Sequence, residues 1–155
     1  MLTGLRRWWA LSPGERGLYL RLVVGLSVIH ALLATMGYVR TQAMLLRHVG
    51  HVPKRSAIDS DLPSAQRLAA LAAIAGRRGL MSATCLRQAL LVDWLLRRRG
   101  LDPVLQLGVR KRGEKFDAHA WVELEGKALG QAAVEHQPFS NHRKQAPPSA
   151  GQGAA

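Results

Sequence analysis

The chain has 155 residues, 48% of them hydrophobic, and its 22 Lys and Arg against 10 Asp and Glu give a formal net charge of +12 at pH 7. That length suits one small domain with extensions around a modest core rather than several independent cores. A single cysteine excludes an internal disulfide and a cysteine-built zinc centre; with no secretory cleavage pattern, it points to a reducing, cytoplasmic setting.

Three stretches are expected: an N-terminal helical segment over 1–60, a folded core over 61–137 and a tail over 138–155. No internal repeat is visible. Within the first, Leu18 to Val39 is apolar, and Leu22 to Val39 alone gives eighteen residues where a membrane span needs about 20. Arg21 lies near one end, where it can snorkel. His30 lies at mid-span and, if charged, would cost about 2 kcal/mol or more at the bilayer centre. A buried core helix explains the same composition. The marginal length and the basic flanks on both sides favour peripheral membrane contact through residues 18–39 over a full span.

Arg40 to Arg55 mixes basic residues with Leu45, Leu46 and Val49 and predicts an amphipathic helix closing on His51-Val52-Pro53. Leu62-Pro63 starts the next helix. There Pro63 suits the first turn, and Leu68, Leu71, Ala72 and Ala75 form an apolar stripe before Gly76. Cys85 to Arg99 is rich in helix formers and stops at Gly100, with Ser82 or Thr84 as N-cap and three arginines in the last turn. These two helices are expected to pack side by side.

After Pro103, Val104 to Val109 suits a strand, and Arg110 to Lys115 a charged loop. Ala118 to Glu125 alternates, so that His119, Trp121 and Glu123 point one way and Ala120, Val122 and Leu124 the other. Glu125-Gly126-Lys127 turns the chain into a third strand, Ala128 to Gln131. The tail, with Pro147-Pro148 and Gly151-Gln152-Gly153, lacks a hydrophobic pattern and reads as disordered.

Cys85 in the first turn of a helix, with His119 on a downstream strand, is the chemically informative pair. A cysteine nucleophile needs a histidine base or a helix N-terminus to populate the thiolate at neutral pH, and this sequence offers both. The competing reading is an inert, buried thiol. Trp121 reads first as core and second as a substrate or oxyanion wall. Glu123 and Glu125 read as solvated strand and turn residues. His30, His48, His51, His136 and His142 show no metal-ligand spacing, and neither metal nor cofactor is expected.

The order of helix with Cys, strand, strand with His, strand resembles that of papain-like and transglutaminase-like cores, an α+β fold with the cysteine helix packed on a small antiparallel sheet. More specifically, Cys85 opening a helix that ends in Arg-Arg-Gly-Leu, then Leu-Gly-Val-Arg, then Phe-Asp-Ala-His-Ala-Trp-Val-Glu-Leu-Glu-Gly, resembles the transglutaminase-like leader peptidases of lasso-peptide biosynthesis. The close match covers residues 80 to 131, and Leu11-Ser12-Pro13-Gly14-Glu15-Arg16 before an apolar helix is similar too.

The resemblance implies a cysteine protease that removes the leader from a ribosomally made precursor peptide. Its implied partners are that precursor, a separate leader-recognition protein and an ATP-dependent macrolactam cyclase. Carried over by residue, Cys85 is the nucleophile and His119 the general base. The family's third member, usually an aspartate, falls on Gln131, which can fix the imidazole tautomer but cannot offset imidazolium charge; Asp117 is the alternative. The same fold also supports acyl transfer to amines, as in transglutaminases.

The charge of +12 invites a basic binding module instead, with Arg77-Arg78, Arg97-Arg98-Arg99 and Arg110-Lys111-Arg112 facing phosphates of nucleic acid or an anionic membrane. Only 5% of residues are aromatic and the basic residues are spread along the chain, so nucleic acid is not the expected partner.

Overall fold

The computed structural model describes residues 12–58, 60–78, 84–112, 115–130 and 137–138. Of the tail expected to be disordered, all but Pro138 lies outside these residues.

The first helix, α1, runs from Pro13 to Val49. Ser12 caps it reciprocally: its hydroxyl accepts from the Glu15 N–H at 3.3 Å while the Glu15 carboxylate accepts from the Ser12 N–H at 3.0 Å. The helix expected from Arg40 is the second arm of α1, which a kink at Gly37 sets off from the apolar first arm. The interruption is confined to Gly37 (φ 74, ψ 177), a backbone conformation that glycine adopts without a Cβ penalty. Thr41 steadies the kink by donating its hydroxyl to the Gly37 carbonyl at 2.8 Å.

The second helix, α2 (Asp61–Arg78), passes through Gly76, and its predicted stripe of Leu68, Leu71, Ala72 and Ala75 is buried. The third, α3 (Cys85–Arg97), ends two residues earlier than expected, with Arg98 to Gly100 forming a turn. Leu22, Leu26 and Ile29 of α1 join Leu68 and Leu71 of α2 and Leu90, Leu91 and Leu96 of α3 in one core. Gly25 lets α1 approach closely, because a Cβ there would lie 2.8 Å from Leu91 Cδ1.

Four antiparallel strands follow: β1 (Val104–Arg112), β2 (Lys115–Leu124), β3 (Lys127–Leu129) and the two-residue β4 (Gln137–Pro138), in the order β3-β2-β1-β4. The expected charged loop is mostly strand: β1 and β2 stay in register out to Arg112 opposite Lys115. Ladder bonds are made by backbone, so a run of charged side chains does not end pairing. Glu125 (φ 51) and Gly126 (φ 70) are both left-handed, as a two-residue hairpin turn matching strand twist requires. Ala120, Val122 and Leu124 pack into the helical core, so the sheet contributes one face to it. The result is the expected α+β architecture, with helices covering one face of a small antiparallel sheet.

Two ionic clusters fix the helix ends. The Arg97 guanidinium bonds both Asp93 oxygens at 2.9 and 3.0 Å and the Pro103 carbonyl at 2.7 Å, tying the end of α3 to the start of β1. Arg55 grips Asp61 at the start of α2 through two bonds of 2.6 and 2.9 Å, and the same carboxylate accepts the Ile58 N–H at 2.9 Å. The Arg55 guanidinium, helped by that N–H, holds the Asp61 carboxyl at about 2 against an ordinary 3.8. A folded-state value below the unfolded one contributes stability that is complete above the unfolded pKa and disappears as pH falls through the folded one. Asp61→Asn should therefore lower the melting temperature at neutral pH. It should also flatten the decline of stability between about pH 4 and about pH 2, which thermal melts across that range would check.

Candidate active site

Cys85 is the first residue of α3, entered from Thr84 in extended conformation (φ −66, ψ 158). Thr84 stands at the cap position, but its side chain makes no capping bond; only its carbonyl accepts, from the Arg87 and Gln88 N–H groups at 3.1 and 3.2 Å. Ser82, the other expected cap, lies outside the described residues. Among the described residues, then, no side-chain oxygen caps the positive end of the α3 dipole at Cys85.

The Cys85 thiol is partly exposed and its sulfur lies 3.9 Å from the Ala118 carbonyl oxygen, a weak S–H···O contact. That contact sets the sulfur against β2 one residue before His119. Cys85 and the half-buried His119 line the same cavity of about 90 Å³, together with Gln88, Ala89, Trp121 and Gly130. The cavity exists for two reasons. Strand β3 pairs with β2 only over Val122 to Leu124, so that edge of β2 is unpaired nearer His119 among the described strands. The helices that face the opening do so with small side chains, Ala69 and Ala73 of α2 and Ala89 of α3.

The His119 ring is stacked on Trp121, with centroids 6.3 Å apart and planes 15° from parallel. The Trp121 indole N–H donates to one Glu123 oxygen at 3.0 Å, and Gln106 on β1 donates to the other at 3.1 Å. Glu123, expected to be a solvated strand residue, is half-buried and accepts both bonds. Alternation along β2 predicts that His119, Trp121 and Glu123 share a face. The partner from β1 depends on a register that the sequence does not state.

A second unforeseen residue is Gln66 on α2. Its amide donates to the Ala128 carbonyl and accepts from the Gly130 N–H, both at 2.9 Å, so it grips the chain as it leaves β3 and enters the cavity wall. Gln131, the expected third member, follows directly and lies outside the described residues. Asp117 is in β2 opposite Arg110, two residues before His119.

An α+β core with a thiol at a helix start and an imidazole on the adjacent strand defines a class suited to acyl chemistry through a thioester. Residues 28–143 match the family model of the Transglutaminase-like superfamily, and the chain belongs to that superfamily. No curated protein and no solved structure matches the chain. The superfamily generally includes cysteine proteases and transglutaminases. The matched span takes in Cys85, His119, Asp117 and Gln131.

The Gln66 clamp has a measurable consequence. Gln66→Ala leaves one N–H and one carbonyl without their partner, and it should cost about 1–2 kcal/mol in denaturant unfolding. Gln66→Glu keeps the acceptor for Gly130 but sets a carboxylate against the Ala128 carbonyl, and should destabilise comparably. Faster amide exchange at Gly130 in both variants would locate the loss.

Proposed function

We propose that this chain is a cysteine peptidase that removes the leader from a ribosomally made precursor peptide during lasso-peptide maturation. The observation that carries the reading is the meeting of Cys85, at the first position of α3, with His119 of β2 in one cavity. Family membership makes cysteine acyl chemistry the expected use of that pair. The lasso assignment rests on the resemblance of residues 80 to 131.

His119 takes the proton of the Cys85 thiol, and the thiolate attacks the scissile carbonyl carbon. Charge then develops on the carbonyl oxygen near the N–H groups that open α3, where the helix dipole favours an anion. Collapse of the tetrahedral species breaks the C–N bond, and the imidazolium passes its proton to the departing amine. The leader is left as a thioester on Cys85. Water, deprotonated by His119, then attacks the thioester, releasing the leader carboxylate and restoring the thiol. Trp121 limits rotation of the imidazole by stacking on it, and Glu123 holds Trp121 in turn. Gln131 is assigned to orient the imidazole, with Asp117 as the alternative.

Interception of the same thioester by an amine would give acyl transfer instead. A mass spectrum of the products separates the two outcomes, since hydrolysis leaves a free acid and transfer leaves an amide.

The partners assigned here are the precursor, a separate leader-recognition protein and the cyclase that closes the macrolactam.

Cys85→Ala and His119→Ala should each reduce leader removal by orders of magnitude while leaving the protein folded, because members of such a unit fail together. Mass spectrometry of precursor incubated with chain and recognition partner gives the readout. Retained cleavage by Cys85→Ala would end the protease reading. Adding the recognition partner should raise cleavage mainly by presenting the peptide at high effective concentration.

The orienting residue has its own test. Gln131→Ala should slow cleavage less than loss of Cys85 or His119, and Gln131→Asp should preserve or raise it, because a carboxylate holds the same nitrogen and stabilises imidazolium. Asp117→Asn should be nearly silent if Gln131 orients the ring and severe if Asp117 does.

A further inference from the structure

Helix α1 is apolar on two opposite sides. Leu22, Leu26 and Ile29 are buried in the core, at 0%, 6% and 2% exposure, whereas Leu20, Val24 and Val28 stand 55%, 62% and 51% exposed. Residues three or four apart lie within about 60° of each other around a helix, so each triplet forms a stripe and the two stripes lie roughly opposite each other. By length and composition the helix is able to cross a membrane, with mean hydropathy 2.0 in its most apolar window, yet 17% of that window is buried. Crossing would strip Leu22, Leu26 and Ile29 from the core they share with Leu90, Leu91 and Leu96. The outer stripe asks for an apolar environment that reaches one side of the helix only.

That stripe lines a groove of about 950 Å³ shared by the two arms of α1 and by α3, with Met44, Leu45 and His48 from the second arm and Leu91, Trp94 and Leu95 from α3. Its mouth carries Arg21, Arg98 and Arg99, all exposed, and among the described residues no acidic side chain lines it. The Arg98 guanidinium sits 5.0 Å from the Trp94 ring centroid, which holds this charge at the edge of the apolar surface. Val39 and Leu46, on the second arm of α1 that helps line the groove, are exposed apolar residues as well. Exposed apolar side chains beside a rim of arginines complement a surface that is apolar inside and anionic outside, which is the chemistry of an anionic bilayer.

We propose that the outer stripe of α1 and the rim of the α1–α3 groove form a docking face for an anionic lipid bilayer, on which the domain lies without crossing it. Leu20, Val24 and Val28 enter the acyl boundary while Arg21, Arg98 and Arg99 meet the phosphates. The face is separate from the cavity of Cys85 and His119, so the proposal does not depend on the peptidase reading.

Flotation of the full chain with phosphatidylcholine vesicles, with and without phosphatidylglycerol, tests it. Binding should be far tighter to the anionic vesicles and should weaken with salt. Arg98→Gln with Arg99→Gln should lower partitioning roughly thirtyfold, about fivefold for each lost charge near the surface. Val24→Glu with Val28→Glu should abolish it, and both replaced side chains are exposed, so thermal melts should match the parent. No binding to the anionic vesicles, or equal binding to both kinds, would overturn the proposal. So would resistance to carbonate extraction, which marks a span. A concentration-dependent dimer without vesicle binding, dissolved by the Val24→Glu and Val28→Glu pair, would assign the face to a second copy instead.

Discussion

Helix α3 cannot be buried as it is without neighbours on every side, and the rest of the molecule follows from that constraint. Ala89, Leu90, Leu91, Val92 and Asp93 are consecutive and all buried. Consecutive helical residues point about 100° apart, so no single packing face covers them. Leu91 is met by α1 at Gly25, and Ala89 and Val92 face the cavity between α2 and β2. Arg97 closes the far end by joining Asp93 to Pro103. Once α3 is wedged in this way its first residue has no positional freedom, and its first residue is Cys85. The Cys85 thiol is thus placed by burial of the helix behind it, and its weak contact with the Ala118 carbonyl adds little energy of its own.

The histidine is placed by a different means. Strand β2 has its core face set by Ala120, Val122 and Leu124, which fixes the opposite face to His119, Trp121 and Glu123 because side chains alternate. Slipping β2 by one residue would put Leu124 into solvent and Glu123 into the core, so register and imidazole direction are one decision. On the outer face the carboxylate of Glu123 gathers two donors, Trp121 from its own strand and Gln106 from the next. The carboxylate therefore acts on His119 through an aromatic ring.

Much of this was legible in the sequence because it depends on period and order. The buried stripe of α2, the start of α3 at Cys85, the alternation in β2 and the turn at Gly126 are local patterns with local causes. The place of the break in α1 was not legible: it falls at Gly37, inside the stretch Leu18 to Val39 that reads as one apolar helix, and the Thr41 bond to the Gly37 carbonyl is visible only in the fold. The ladder beyond Val109 was hidden by charge, since side-chain composition says little about backbone pairing. Gln66 and Gln106 were invisible for a third reason. Each acts across the fold, Gln66 on residues 62 and 64 positions away, and no spacing rule links such pairs.

On the proposed assignment of Gln131 as the residue that orients His119, its departure from aspartate gains physical sense from these neighbours. An aspartate would bring a full charge beside the imidazole, and its benefit grows with the amount of imidazolium formed in the rate-limiting step. A neutral glutamine gives up that benefit and keeps only direction, which matters most where the ring is otherwise free to turn. Here the ring is stacked on a tryptophan that is itself hydrogen-bonded, and the chain leading to residue 131 is clamped by Gln66 at Gly130. Orientation is thus supported from both sides of the cavity. Under that proposed assignment, the chemical demand left for residue 131 is to select one imidazole tautomer, a task for a single neutral acceptor.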